Sequence, residues 1–223
     1  MLPCKQTYCE GVVAAADSGD VRECSGNENV SEEDVMDRYI AAPVDKETAK
    51  SLRSGDYVYI TGTIYTARDA AHKRMYEILA EGGELPVDIG GQVIYYMGPS
   101  PAREGRPIGS AGPTTSSRMD KYAPQLLDMG LAAMIGKGKR SKEVTDAIVR
   151  NGAVYFAAVG GAGALLSKCI TESEVVAYDD LGTEAIRKLT VKDLPAIVVI
   201  DSEGNNLYET AVKEYCRNGE AGA

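Results

Sequence analysis

Apolar and polar positions along this chain follow two spacings, one typical of strands and the other of helices. Residues 57–65, YVYITGTIY, are rich in β-branched and aromatic side chains, which predicts a strand. Apolar residues between Ala67 and Ala80 recur at helical spacing, which predicts a helix. Shorter patterns predict further strands at 38–43, 93–97, 131–135, 153–159, 175–178 and 196–200, and further helices at 45–52, 119–129, 141–150, 164–169 and 184–188. This alternation predicts a single α/β domain with a largely buried sheet.

Two residues interrupt these patterns. Gly62 lies inside the strand predicted at 57–65, where a glycine indicates a bulge or a close approach of another backbone segment. Pro124 lies inside the helix predicted at 119–129 and is expected to interrupt it, since proline has no N–H to donate.

The longest stretch without a strand or helix pattern is the segment 98–120, GPSPAREGRPIGSAGPTTSSRMD. It contains four of the nine prolines and ends in a run of hydroxyl side chains followed by Arg118. Compact domains seldom keep more than about 15 residues without regular structure unless the loop is functional or disordered. Proline fixes φ and glycine permits unusual turns. We therefore predict a stiff loop that holds a small anion.

Composition divides the chain into three parts. Residues 1–37 are polar, acidic and weakly periodic, so we expect a loosely ordered extension before a domain at 38–210 and a tail at 211–223. The extension contains three of the five cysteines, in the spacing C-x4-C-x14-C, which matches no strong zinc or ferredoxin pattern. We expect free thiols there, with a metal site as the alternative. The cysteines are Cys4, Cys9, Cys24, Cys169 and Cys216, an odd number that argues against a disulfide scaffold.

Charge and hydropathy exclude several classes of function. The formal net charge of −9 argues against nucleic-acid binding, which requires a basic face. No apolar run reaches about 18 residues, so no membrane span is predicted. The N-terminus lacks the apolar core of a signal peptide, so we expect a cytoplasmic protein. An acidic ligand must be attracted by local Arg and Lys side chains against the overall field.

The first candidate cluster for such a ligand lies at the start of the helix predicted at 67–80. Arg68 and His72 are four residues apart and therefore share a helix face. Arg68 is expected in the first turn, where backbone N–H groups also favour an anion. The alternative is a solvated helix face that includes Asp69 and Lys73. His72 is the only histidine, so it has no histidine partner for a metal site.

Three other segments carry candidate groups. The run from Thr114 to Arg118 could bind a carboxylate through its hydroxyls and the guanidinium, and Thr115 is a further candidate for substrate binding. The alternative is that this run only caps the next helix. Lys137 lies between two glycines, which allow close approach to a ligand or merely form a turn. Residues 159–168, VGGAGALLSK, could cradle a phosphate, but the spacing favours a tight strand-to-helix turn. These residues together favour a binder of small multi-anionic molecules.

Long ordered motifs also resemble a known family. SGDYVYITGTIYTARDAAHKRM, VIYYMGPSPAREGRPIGSAGPTTSSRMDKYAPQLL, AMIGKGKR and GAVYFAAVGGAGALLSK resemble the β subunit of class I fumarases and of L(+)-tartrate dehydratase, from about Arg38 to Tyr208. The resemblance implies a swivelling β/β/α fold and reversible dehydration of a 2-hydroxy dicarboxylate. It also implies a [4Fe-4S] cluster bound by cysteines of an α subunit, with the active site formed where the two subunits meet.

The resemblance implies a role for each matching residue. Arg68 and Arg118 would clamp the substrate carboxylates, and Lys137 would add an electrostatic contact. Thr114 corresponds to the residue proposed in the family as the base that removes the carbon-bound proton. A threonine hydroxyl is a very weak base, so it would need activation by a neighbour or by the bound substrate. His72 lies within the matching motif as a possible supporting residue.

Three hypotheses remain open from the sequence. The first is the β subunit of an iron–sulfur fumarase that dehydrates malate to fumarate, in an expected α2β2 assembly. The second is the β subunit of an L(+)-tartrate dehydratase, whose substrate differs by one hydroxyl. The third is a dicarboxylate-binding or assembly module without chemistry of its own.

Overall fold

Strands and helices alternate through most of the chain. The computed structural model describes residues 37–215, with the side chains of residues 37–213. The strands are β1 (Arg38–Ala42), β2 (Tyr57–Thr66), β3 (Val93–Tyr95), β4 (Ala133–Gly136), β5 (Val154–Ala157), β6 (Ile170–Ala177) and β7 (Ile186–Ile200). The α-helices are α1 (Lys46–Ser51), α2 (Asp69–Ala80), α3 (Ala123–Asp128), α4 (Lys142–Asn151), α5 (Gly163–Leu166) and α6 (Leu207–Tyr215), and three 3-10 turns lie at Ser116–Met119, Ser167–Cys169 and Asp179–Glu184.

The strand pairings close on themselves. β2, β3, β4 and β5 are parallel neighbours in that order, and β7 lies antiparallel between β5 and β2, which completes a ring. β1 pairs with β2 in parallel, and β6 pairs with β7 antiparallel. The four parallel strands of the ring therefore end at the same edge of the sheet, which we call the carboxyl edge. This mixed sheet with its helices confirms the predicted α/β class.

The strands β3, β4 and β5 are buried on both faces, as their continuous apolar sequences predict. Successive side chains of a strand point to opposite faces. Tyr95 and Ile135 belong to a core cluster that all strands of the ring share, whereas Ile94, Tyr96 and Met134 belong to a second cluster with α2, α3 and α4. The described residues form one compact unit, and within them no helix is long and apolar enough to cross a bilayer.

Gly62 confirms both expectations from the sequence. The register between β2 and β7 shifts between Ile60 and Gly62, as a bulge requires. Gly62 has a φ of +130°, and a Cβ at this position would overlap the carbonyl oxygen of Ala42 on β1. Only glycine fits this conformation and this close approach without strain.

One local prediction was wrong, and another held with a change at Pro124. The helix predicted at 184–188 does not form, because Glu184 ends a 3-10 turn and Ile186 begins β7. Ile186 and Leu189 lie three residues apart, which suggests a helix, but pairing with β2 and β6 determines the local structure. The segment 119–129, predicted as a helix or helical turns with an interruption at Pro124, is divided into a 3-10 turn that ends at Met119 and the helix α3 that begins at Ala123. Pro124 therefore marks the start of α3 rather than a break in its interior. It lies in the first turn of α3, where a missing N–H costs nothing.

The predicted strands at 175–178 and 196–200 prove to be parts of longer strands. The first lies at the end of β6 and the second at the end of β7. The long segment 98–120 packs against the sheet, because Ile108 and Ala111 belong to the core cluster of the ring. The Tyr95 hydroxyl donates a 2.5 Å hydrogen bond to the Ala111 carbonyl. The loop therefore contributes to the core as well as to the carboxyl edge.

Candidate functional site

The cationic candidates lie at the carboxyl edge of the parallel strands. Arg68 follows β2, Lys137 follows β4, and the segment from Thr114 to Arg118 lies between the ends of β3 and β4. In folds with parallel strands, ligand sites form at this edge because the loops after neighbouring strands meet there. The structure thus brings together residues that are up to 69 positions apart in the sequence.

Backbone hydrogen bonds hold the hydroxyl-rich segment in place. The Thr114 N–H donates to the Tyr96 carbonyl at 2.7 Å, on the β3 side. The Ser116 N–H donates to the Lys137 carbonyl at 2.9 Å, on the β4 side, and Thr115 pairs with Lys137 as a parallel bridge. The segment therefore continues the sheet between two diverging strand ends. Thr115 and Lys137 are exposed, and Thr114 is half-buried.

The position of Ser116 also explains why residue 136, in the motif AMIGKGKR, is a glycine. A Cβ on Gly136 would overlap the Ser116 Oγ atom and lie 3.0 Å from the Tyr96 ring. The Ser116 hydroxyl thus occupies the space that any other residue at 136 would fill. Sequence reasoning missed Ser116 because it treated the hydroxyl run as one unit, whereas only Ser116 of this run is buried between the strands.

The two arginines of the expected carboxylate clamp share an acidic neighbour. The Asp69 carboxylate lies 2.8 Å from Arg118 Nε and 3.9 Å from Arg68 Nε. Arg68 Nη2 lies 3.4 Å from the Glu184 carboxylate. The Arg118 side chain remains 52% exposed, against 21% for Arg68. Both guanidiniums are therefore oriented by carboxylates, and one of them is open to solvent.

Arg68 differs from its expected position by one residue. It is the N-cap of α2 rather than a residue of the first turn. The Ala70 N–H at the start of α2 already donates to the Glu184 carboxylate at 2.7 Å, so this helix start binds an anion from the protein itself. A Cβ on Gly98 would overlap Arg68 Nη1 and lie 2.9 Å from Arg68 Cδ, so glycine is needed for the guanidinium to lie across the end of β3.

His72 lies beneath the edge and not on a solvated helix face. Its side chain is fully buried, its Nδ1 lies 2.9 Å from the Arg68 carbonyl, and its ring packs edge-on against Tyr96 at 5.2 Å. Burial, with a smaller contribution from the Arg140 charge, lowers its pKa to about 4. His72 is therefore neutral at pH 7, so Nδ1–H donates to the carbonyl.

A second arginine–aspartate pair, which sequence reasoning missed, lies deeper. The Arg140 side chain is completely buried, and its Nε lies 2.6 Å from Asp120. The other Asp120 oxygen accepts the Ser141 N–H at the start of α4. The Arg140 guanidinium also lies 5.3 Å from the Tyr96 ring and 5.0 Å from the Tyr155 ring. With the residues that contact them, these side chains form a buried polar layer: His72, Tyr96, Ser116, Asp120, Arg140 and Tyr155.

The glycine-rich stretch at 159–168 forms the turn that its spacing favours. It leads from β5 into α5, which has four residues. A Cβ on Gly163 would crowd the Ser110 hydroxyl and the Gly112 backbone, so the start of this helix packs against the long loop. Gly160 lies beside the Lys137 side chain, since a Cβ there would be 3.7 Å from Lys137 Cδ.

The described residues do not offer a set of ligands for an iron–sulfur cluster. Within residues 37–215, no group of three His, Cys, Asp or Glu side chains could hold a metal ion. Cys169 is a free, half-buried thiol. The cysteines of the predicted extension, Cys4, Cys9 and Cys24, lie outside the described residues, as does Cys216.

Comparisons with known proteins agree with this arrangement. Residues 14–211 match the sequence model of the family described as Fumarase C-terminus, so the match begins upstream of Arg38. The chain is 43% identical over 161 residues to the anaerobic class I fumarate hydratase of Escherichia coli, which covers 71% of this chain and 29% of that enzyme. It is 39% identical over 170 residues to fumarate hydratase 2 of Leishmania major, covering 74% of this chain and 30% of the relative.

A shorter relative matches over most of its length. A Methanocaldococcus jannaschii protein described as an L(+)-tartrate dehydratase subunit beta is 38% identical over 175 residues, covering 76% of this chain and 90% of that protein. The chain thus spans about three tenths of the fumarate hydratases and nine tenths of the separate subunit. These matches and the geometry of the carboxyl edge lead to one conclusion: the chain belongs to the Fumarase C-terminus family.

Proposed function

We propose that this chain is the β subunit of an iron–sulfur hydro-lyase that reversibly dehydrates a 2-hydroxy dicarboxylate, malate to fumarate. One observation carries the proposal: Arg68, Arg118, Lys137 and Thr114 come from three different strand ends and meet at one edge of the sheet. Three cations placed together in a chain of net charge −9, with the side chains of Arg118 and Lys137 exposed, favour an anionic ligand, although Asp69 and Glu184 neutralise part of this charge. For this chain we further propose the swivelling β/β/α fold of the family.

The two arginines would bind the two carboxylates of the substrate. A guanidinium presents parallel N–H groups that match a carboxylate in two places. The Asp69 carboxylate engages Arg118 through Nε, which leaves the terminal nitrogens for a ligand. Lys137 follows β4 on a flexible side chain and would add a further positive charge, and the exposed Thr115 hydroxyl would add a hydrogen bond.

Thr114 is the proposed acceptor of the carbon-bound proton. Its backbone is fixed to the end of β3 through the hydrogen bond to Tyr96. A hydroxyl of ordinary pKa is a poor base, so its activation must come from the positive field of the arginines, from the bound substrate or from the partner. We place His72 outside this step, because it is buried beneath the edge and neutral.

We propose that an α subunit completes the site. The side of the cationic edge that carries Arg118, Lys137 and Thr115 is exposed, as expected for one half of a site. The [4Fe-4S] cluster of the family would supply a Lewis acid for the leaving hydroxyl, and residues 37–215 offer no ligand set for it. As the family resemblance implies, we propose that the α subunit binds the cluster, and we expect an α2β2 assembly.

Replacing Arg118 by Ala in the α/β complex tests the proposal. Loss of a carboxylate-binding arginine should lower kcat/KM for malate about 30-fold or more, because breaking such a charge pair costs about 2–5 kcal/mol. Arg150→Ala is the matched control, since Arg150 is similarly exposed and paired with Asp128. If Arg118→Ala keeps full activity while the wild-type complex is active, the clamp assignment is wrong.

A second candidate substrate follows from the comparison with the separate subunit. This chain covers 90% of the relative described as an L(+)-tartrate dehydratase subunit beta, which favours tartrate as the alternative to malate. Parallel assays of malate and of both tartrate enantiomers decide between them. A wild-type complex that binds these acids but dehydrates none would instead support a non-catalytic binding module.

A further inference from the structure

The side chain of Tyr155 makes contacts that no part of the proposed chemistry uses. It lies on β5, it is fully buried, and its hydroxyl lies 2.8 Å from the Ser116 Oγ atom. The same hydroxyl donates to the Gly138 carbonyl at 2.9 Å. Ser116 Oγ in turn accepts the Lys137 N–H at 3.0 Å. Two buried hydroxyls thus connect the end of the long segment 98–120 with the Lys137 N–H and the Gly138 carbonyl.

The direction of each hydrogen bond follows from the number of protons. A phenol carries one proton, and that of Tyr155 is given to the Gly138 carbonyl. Ser116 must therefore donate its own proton to the Tyr155 oxygen while it accepts the Lys137 N–H. The chain runs from the Lys137 N–H through both hydroxyls to the Gly138 carbonyl. It begins and ends on consecutive residues, so it encloses the backbone of Lys137.

We propose that Tyr155 and Ser116 are positioning residues that fix the location of Lys137 relative to Thr114. The catalytic consequence of this proposal rests on the proposed function. The positioning of Lys137 by the two hydroxyls does not depend on it. Thr114 and Ser116 are two residues apart in one extended segment, which is bonded to Tyr96 on one side and to Lys137 on the other. Within the described residues, the Ser116 hydroxyl makes the only side-chain hydrogen bond to the Lys137 backbone, and the Tyr155 hydroxyl fixes the orientation of Ser116 and holds the next carbonyl, that of Gly138.

One further contact and the protonation state of the hydroxyl make Tyr155 suited to this role. Its ring is held by the buried Arg140 guanidinium, 5.0 Å from the ring centre, so the hydroxyl has little freedom to move. Burial raises the pKa of Tyr155, so the hydroxyl is protonated at neutral pH and can donate its hydrogen bond there. A group of this kind can hold a geometry but does not exchange a proton with substrate.

The test compares Tyr155→Phe and Ser116→Ala with a matched control, Tyr95→Phe. Tyr95 is also fully buried and also donates its hydroxyl to a backbone carbonyl, that of Ala111, but it does not contact Lys137. The first readout is amide hydrogen exchange in the full-length protein. The Lys137 amide should exchange at least about 10-fold faster in both test variants than in wild type and in Tyr95→Phe. The Tyr96 amide, which is bonded to the Ile135 carbonyl, should keep its protection.

The second readout is steady-state kinetics of the α/β complex. We expect kcat to fall about 10- to 100-fold in Tyr155→Phe, because small displacements of a catalytic group cost up to about two orders of magnitude. KM should rise less than kcat falls, because Lys137 is only one of the proposed substrate contacts and Arg68 and Arg118 are not part of the chain of hydrogen bonds. The shape of the pH–rate profile should not change. The double variant should lose no more than the worse single variant, because both act on one connection.

The two readouts separate this proposal from the proposed function. Unchanged exchange of the Lys137 amide in Tyr155→Phe would overturn the proposal, and so would an equal loss of kcat in Tyr95→Phe. If the wild-type complex dehydrates no dicarboxylate, the proposed function fails, while the exchange rates still decide whether the hydroxyls hold Lys137. A changed pH profile would assign Tyr155 to proton transfer and would likewise contradict the positioning role.

Discussion

Two arginine–aspartate pairs of similar length lie in different surroundings of the same molecule. At the carboxyl edge, Arg118 and Asp69 are 2.8 Å apart, with side chains 52% and 28% exposed. In the buried polar layer, Arg140 and Asp120 are 2.6 Å apart, with side chains 0% and 13% exposed. The exposed pair can exchange its partner for a ligand carboxylate. The buried pair cannot, because either charge would be left without water or a counter-charge.

The difference shows that an arginine–aspartate pair can take part in ligand binding where it is exposed to solvent, and can stabilise the fold where it is buried. An exposed pair contributes about 0–1 kcal/mol to folding, since water and side-chain entropy offset most of the attraction. Removing one member of a buried pair costs about 3–5 kcal/mol because the other charge remains buried. The carboxyl edge is therefore free to change for ligand binding, while the layer beneath it fixes the geometry.

The largest expected effect comes from breaking the buried pair. Asp120→Ala removes the partner of Arg140 and the acceptor for the Ser141 N–H at the start of α4. We expect a loss of about 3–5 kcal/mol in the free energy of unfolding, measured by urea unfolding of the full chain with an unchanged m-value. Asp69→Ala is the matched control and should cost less than about 1 kcal/mol. Equal losses in the two variants would show that burial does not distinguish the pairs.

The pH dependence of the free energy of unfolding tests the burial of His72 in the polar layer. The pKa of His72 falls from 6.5 to about 4 on folding, through burial first and then the Arg140 charge, against the opposing effects of the Arg68 carbonyl and of Asp69. Between these two pH values the unfolded chain binds the proton and the folded chain does not. Stability should therefore fall as the pH falls from about 6.5 to about 4, by about 1.4 kcal/mol per pH unit and about 3 kcal/mol in total.

Unfolding measured from pH 7.5 to pH 4 in wild type and in His72→Phe checks this sign. The variant keeps a ring against Tyr96 but has no proton to bind, so the difference in stability between the two proteins should shrink as the pH falls. Ionisable groups that do not interact with His72 contribute equally to both proteins, so their effects cancel in the difference. A difference that stays constant across this range would mean that water reaches His72.

The sequence predicted the residues of the carboxyl edge better than those of the buried polar layer, and the reason is physical. Arg68 and Lys137 follow strong strand patterns, and parallel strands must end at a common edge, so their proximity follows from the topology. Asp120 and Arg140 lie 20 residues apart in segments that show no shared periodicity, so their pairing depends on how α3 and α4 pack. A buried charge looks like a surface charge in a sequence until the packing is known.

The same reason explains the wrong helix and the shifted arginine. The residues after Glu184 carry an apolar spacing of three, and only the neighbouring strands make them extended. Arg68 was expected inside α2, but Glu184 binds the Ala70 N–H and takes the place of an anionic ligand at the helix start. Both errors arise where the segment Asp179–Glu184 returns to the start of α2, a contact between residues more than 100 positions apart.

The smallest expected effect lies at the exposed pair. Asp69→Asn keeps an oxygen that can accept from Arg118 Nε but removes a negative charge that competes with ligand carboxylates. An exposed pair is worth at most about 1 kcal/mol, so the affinity of the α/β complex for fumarate should rise by at most about fivefold. Calorimetric titration at about 20 mM and about 300 mM salt should show a smaller gain at high salt, because salt screens exposed charges. Weaker binding at both salt concentrations would instead show that Asp69 orients Arg118 for the ligand, and the exposed pair would then share the supporting role of the buried one.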